Sequence, residues 1–168
     1  MSAEPDDLDF AGVPLGTQAQ SVCSPAMGPK DRGFRVASPR RVALAAALRI
    51  PVCATYQFGP ERSELPGDLW GDVAIVVTDV THNRAWAKRL RPDELGPPPA
   101  RPEPPKAASS GGPEEFPNAP TKRPARDFGF INLDAGKVLR LPPEPGIYYI
   151  HLTYAGYQSN AVRVEAAA

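Results

Sequence analysis

From Val42 to Phe58 every even position is apolar: Val42, Leu44, Ala46, Leu48, Ile50, Val52, Ala54, Tyr56 and Phe58. Successive side chains of an extended strand point to opposite faces, so a repeat of two marks a half-buried strand. A sheet with one apolar face must be covered by another layer, which commits the chain to a packed β architecture. The odd positions hold Ala43, Ala45, Ala47, Arg49, Pro51, Cys53, Thr55 and Gln57. The pattern predicts one long strand bent at Pro51, where a ladder donor is missing. An Ala-rich helix over 41–49 competes with it, because Ala is the best helix former.

Composition decides against a helical alternative for the whole chain. Its 168 residues include 22 prolines and 14 glycines, and an interior proline costs a helix about 3 kcal/mol. Nineteen basic side chains balance nineteen acidic ones, which removes any electrostatic reason to expect nucleic acid or an anionic membrane as partner. No apolar run is long enough for a transmembrane helix. The first residues, Met1 to Asp9, are acidic and lack the apolar core of a secretory signal. They imply a cytoplasmic protein by default, or a secreted one whose signal has been removed.

Residues 1–40 carry no sustained period and are punctuated by Pro5, Pro14, Pro25, Pro29 and Pro39, as expected of an irregular N-terminal arm. The domain proper is expected over 41–168. Asp72–Val80 is nearly continuous in β-branched residues, as in a central strand covered on both faces. Thr81–Arg84 then reads as a hairpin turn, with Trp86 returning to pack on the sheet. Residues 92–126 hold eleven prolines and almost no large apolar side chain, the composition of a disordered or polyproline-II insertion. Order resumes with a strand over Phe128–Leu133, a second short segment over Lys137–Leu141 and a rigid corner at Pro142–Gly146. Tyr148, Ile150, Leu152 and Tyr154 then alternate with polar positions, Ala155-Gly156 turns, and Val162 and Val164 alternate in the closing strand. Without the arm and the insertion 93 residues remain, close to the roughly 100 of a single β-sandwich.

The stretch Pro145-Gly-Ile-Tyr148-Tyr-Ile-His-Leu152, followed by Ser159-Asn160-Ala-Val-Arg-Val164-Glu, resembles the last two strands of many immunoglobulin-like and fibronectin-type-III-like domains. The resemblance implies an all-β, immunoglobulin-like antiparallel sandwich in which Tyr148 is the buried corner tyrosine, its hydroxyl bonded to nearby backbone. It implies no function. The Cys…Trp…Cys pattern of true immunoglobulin domains is absent.

Little in the sequence points to chemistry. Cys23 and Cys53 are too few for a zinc site; they form one disulfide if the chain is secreted, or remain two unpaired thiols that behave as small hydrophobes. Asp127-Phe128-Gly129 matches a kinase metal-binding tripeptide but lacks every accompanying motif. His82 and His151 fall in a turn and on a strand face, with no spacing that suits a metal. No metal ligand set, cofactor or catalytic residue is therefore expected, and the chain reads as a non-catalytic module that binds another protein, accessory to a larger enzyme or assembly. Carbohydrate binding through exposed aromatics is the alternative, and a metal-dependent enzyme comes third. The expected binding surface joins the arm, through Phe10, Val13 and Leu15, to the closing hairpin, through Tyr149, His151 and Tyr157. Apolar arm residues need cover, either from their own domain, with the arm folded back on the sandwich, or from a partner, and amphipathic aromatics are enriched at interface hot spots.

Overall fold

The computed structural model describes residues 10–59, 72–97 and 128–168. Most of the expected insertion, the first nine residues and the segment between Gly59 and Asp72 lie outside the described residues.

Strand is the main regular structure of the described residues, arranged in two sheets. Strand β1 (Gly33–Ala37) and strand β3 (Pro51–Gln57) pair antiparallel, and β6 (Phe128–Asp134) lies antiparallel on the other side of β3. The second sheet runs β2 (Arg41–Ala43), β9 (Val162–Ala167), β7 (Gly146–Tyr154), β4 (Ala74–Asp79) and β5 (Arg84–Arg89). Its pairings are antiparallel except β2 with β9, which is parallel. The two-residue β8 (Tyr157–Gln158) returns on β7 through Ala155 and Gly156, both at positive φ (44° and 86°). That backbone suits the twist of a tight hairpin.

One core lies between the sheets. Val52, Ala54, Ile131 and Leu133 from the first meet Ile75, Val77, Tyr148, Ile150, Leu152 and Val164 from the second, all essentially without solvent contact. Burial of a Leu, Ile or Val side chain stabilises by about 1.5–3 kcal/mol, so the alternation of β7 is the dominant local signal made physical.

Four expectations are corrected. The alternation from 42 to 58 is two strands in different sheets, separated by residues 44–50, which are neither strand nor helix. Leu48 and Ile50 are buried within this crossing, whereas Ala45, Ala46 and Ala47 are exposed; small side chains leave it no second apolar face to pair. Pro51 therefore opens β3 instead of bending it. Second, β4 is covered on one face only, because Ile75, Val77 and Asp79 are buried while Ala74, Val76 and Thr78 are partly open. Third, Lys137–Leu141 begins inside a short helix, α2 (Ala135–Leu139), preceded in the chain by helix α1 (Pro92–Leu95). Asp134 caps α2, accepting hydrogen bonds from the N–H of Lys137 (3.2 Å) and of Ile50 (3.1 Å). Gly136 is required there, since a Cβ would stand 1.8 Å from the Leu48 carbonyl oxygen.

The fourth correction concerns the arm and the insertion. Residues 33–37 of the arm are strand β1, and residues 10–32 lie against the outer side of the first sheet. Phe10 and Val13 join Cys23, Ala37 and Cys53 in a second, smaller apolar cluster. Thr17 bridges to Asn132 at the edge of β6, and the buried Asn132 side chain donates to Thr17 Oγ1 (3.0 Å) and to the Ala19 carbonyl (2.7 Å). Opposite, the Asn160 amide closes the edge of β1 by accepting from the Val36 N–H and donating to its carbonyl, both at 2.8 Å. The start of the expected insertion is packed as well, for α1 buries Leu95 completely.

Candidate functional site

The outer face of the second sheet follows from strand parity. Inward Ile75 and Val77 leave Ala74, Val76 and Thr78 outward on β4. On β7 the outward set is Tyr149, His151 and Thr153, and on β5 it is Ala85, Ala87 and Arg89. Register aligns these into rows. Thr78 lies between Ala85 and Tyr149, Val76 between Ala87 and His151, and Ala74 between Arg89 and Thr153. The face thus has a floor of small side chains beside one prominent ring, Tyr149, which is 39% exposed and stands opposite Arg163 on β9. Partial burial pushes the His151 imidazole below its ordinary pKa, favouring the neutral ring.

The other expected contact residues do not share this face. Tyr157 pairs with inward-facing Tyr154 and packs edge-on against Phe58, 5.2 Å between centroids, as part of the aromatic border of the core. Phe10 and Val13 are core residues of this chain, 5% and 6% exposed, and Leu15 is partly buried beside them. Their cover is intramolecular, which withdraws them from any docking surface. Among the described arm residues the exposed large hydrophobic side chain is Val22, at 76%. Cys23 and Cys53 are bonded to each other, which is the disulfide alternative and corrects the reading as unpaired thiols.

A polar cluster at the end of β4 had no strong sequence signal. Asp79 is fully buried and accepts from the N–H of Thr81 (3.0 Å), the N–H of His82 (3.1 Å), His82 Nδ1 (2.7 Å) and Arg84 Nη2 (3.0 Å). Burial alone would raise its carboxyl pKa; the bonds from His82 and Arg84 outweigh it and hold the group below the ordinary aspartate range. Arg84 also pairs with Glu144 and lies over the Trp86 ring, 5.3 Å from its centroid. Glu144 contributes its carbonyl to the Tyr148 hydroxyl (3.2 Å). The Asp–His pair has the form of an oriented general base, but each member is committed to the turn that joins β4 to β5. Among the described residues no group of three or more His, Cys, Asp or Glu is placed to hold a metal ion.

No protein-family model, curated protein or solved structure matches the chain. The geometry therefore stands alone, and the sheet face carrying Tyr149 and His151 is the candidate site.

Proposed function

We propose that this chain is a non-catalytic, immunoglobulin-like β-sandwich module that binds another protein through the outer face of its second sheet. The sandwich assignment draws support from the strand order, from β2 running parallel to β9, and from the buried Tyr148 whose hydroxyl donates to the Glu144 carbonyl. The docking assignment rests on one observation: rows of mainly Ala, Thr and Val side chains, bordered by Arg89 and Arg163, lie beside Tyr149, the one large amphipathic ring that stands on them. Such a ring anchors an interface at low entropic cost, and small neighbours let a partner approach closely. Carbohydrate binding draws less support, because Trp86 and Tyr157 pack against the core, so that among the described residues Tyr149 is the one large aromatic ring on its face. The charged rim is short: Arg41 and Arg163 both pair with Glu165, at 3.8 and 3.7 Å.

A photo-crosslinking residue placed at Ala87 tests this in the native host. The expected result is a covalent protein adduct at Ala87 and none from the same probe at exposed Lys30, on the arm. Adducts at Lys30 alone, or at neither position, would remove the proposal.

A further inference from the structure

We propose that residues 10–32 are a strap that docks on the first sheet through polar contacts and is then sealed by oxidation, so that the protein matures in an oxidising compartment. The inference is independent of the docking face, because the strap lies on the other sheet.

Strand parity shows what the strap covers. Val52, Ala54 and Tyr56 of β3 belong to the core between the sheets, so Cys53, Thr55 and Gln57 point outward. The arm follows this outward row. Cys23 is bonded to Cys53, the Pro25 carbonyl accepts from Thr55 Oγ1 (2.6 Å), and the carbonyls of Gly28, Pro29 and Asp31 gather around Gln57 Nε2 at 3.3, 3.1 and 3.1 Å. Upstream of Cys23, the Asn132 amide of β6 holds Thr17 and Ala19, and its oxygen accepts from Ser21 Oγ (3.2 Å). Contacts on both sides of Cys23 therefore fix its place along β3, and none of them needs the sulfur–sulfur bond. The resulting Cα separation of 5.9 Å falls in the range of roughly 4.4–6.8 Å that a disulfide spans. Hydrogen bonds of this kind are individually weak, so the docked strap opens readily until it is sealed.

Sealing is ordinary thiol–disulfide exchange. With oxidised glutathione as the oxidant, one cysteine thiolate attacks a glutathione sulfur and expels a glutathione thiolate. The second cysteine thiolate then attacks the protein sulfur of the mixed disulfide and expels the other glutathione. The protein loses two thiol protons and two electrons, and one oxidised glutathione becomes two reduced ones.

The finished bond is built to last. Cys23 and Cys53 are the two cysteines of the chain, and both are spent in it. Both lack solvent contact, so an incoming thiolate has no path to either sulfur while the strap is down. A regulatory disulfide needs that path. Bonds of the closed kind form and persist in exported proteins, whereas cytosolic thiol systems keep cysteines reduced.

Differential alkylation of the full chain taken from its native source is the test. The sample is acid-quenched and unfolded before N-ethylmaleimide is added. The expected result is no label before reduction and label on both cysteines after it; label on both before reduction would overturn the inference. A second measurement follows alkylation of the reduced full chain without denaturant, its fold checked by circular dichroism. Both thiols should react more slowly than in urea, because the strap covers them without the bond. Thr55→Val should speed that reaction about fivefold, the weight of one hydrogen bond in the opening equilibrium. Gln57→Leu replaces Thr55→Val if that variant does not fold. Thiols as reactive in the folded chain as in urea, or a rate indifferent to the variant, would equally overturn the inference. The crosslink at Ala87 is read separately, since none of these results bears on the outer face of the second sheet.

Discussion

Replacing both Cys23 and Cys53 with Ala tests how far the arm belongs to the fold. The bond links positions thirty residues apart, with Cα atoms separated by 5.9 Å. Closing a loop of that length lowers the entropy of the unfolded chain enough to stabilise the native state by about 3.7 kcal/mol at 25 °C. Both residues are fully buried in the cluster with Phe10, Val13 and Ala37, so lost packing adds to this. For a chain of this size about 3 °C of melting temperature accompanies each kcal/mol, and a fall of about 11 °C is expected. Thermal and urea unfolding followed by circular dichroism measure it. Hydrogen exchange adds the location: the amides of Gly16, Thr17 and Asn132, all bonded across the arm–β6 junction, should lose protection ahead of β7. A loss below about 1 kcal/mol, or a loss of protection uniform over both sheets, would refute the idea that the bond fastens the arm to an otherwise complete core.

Three further substitutions probe the rest of the molecule. Asp79→Asn removes the charge that Arg84 and His82 meet in the core and should cost about 3 kcal/mol at neutral pH. Because the native pKa of Asp79 lies below its unfolded value, that contribution is complete above the unfolded pKa of about 3.9 and disappears as pH falls through the native value. Urea midpoints of the two proteins should therefore converge as pH falls below the native pKa of Asp79. Tyr148→Phe deletes the bond to the Glu144 carbonyl while keeping the ring and should cost about 1 kcal/mol, read from the same denaturant curves. Gly136→Ala drives a methyl into the Leu48 carbonyl; a loss of about 3 kcal/mol is expected, with soluble yield and melting temperature falling together.

The sequence made visible those parts of the fold in which alternation and turn chemistry agree. Tyr148, Ile150, Leu152 and Tyr154 alternate and the Ala155-Gly156 turn follows, so β7 and its hairpin were legible. Residues 44–50 misled because Ala is apolar by class and yet too small to require burial, so the crossing between sheets kept the rhythm of a strand. Asp79 gave no signal because Glu144, which shares Arg84 with it, lies far along the chain and only the fold brings them together. Tyr149 and His151 could be named from alternation alone. Their setting could not, since Ala85 and Ala87 become a surface only once register lays β5 beside β4. Phe10 and Val13 were rightly seen to need cover, but sequence carries no information on which surface provides it.

The Cys23–Cys53 bond also decides how the molecule carries mechanical load. Tension applied upstream of residue 23 and at the carboxyl end has two possible routes through the protein. With the sulfurs joined, force passes straight from Cys23 into the middle of β3 and bypasses β1 and β2. With the bond reduced, the load instead travels along the backbone to β2 and is resisted by its parallel neighbour β9, whose flanking bonds run from Glu165 N–H to the Arg40 carbonyl and from Leu44 N–H to the Ala167 carbonyl, each at 2.9 Å. Parallel strands drawn toward opposite ends are sheared, so these bonds stretch together, whereas the oxidised chain concentrates tension on a strand held from both sides in the interior of the first sheet. One covalent link thus selects which strand yields first when the domain is pulled.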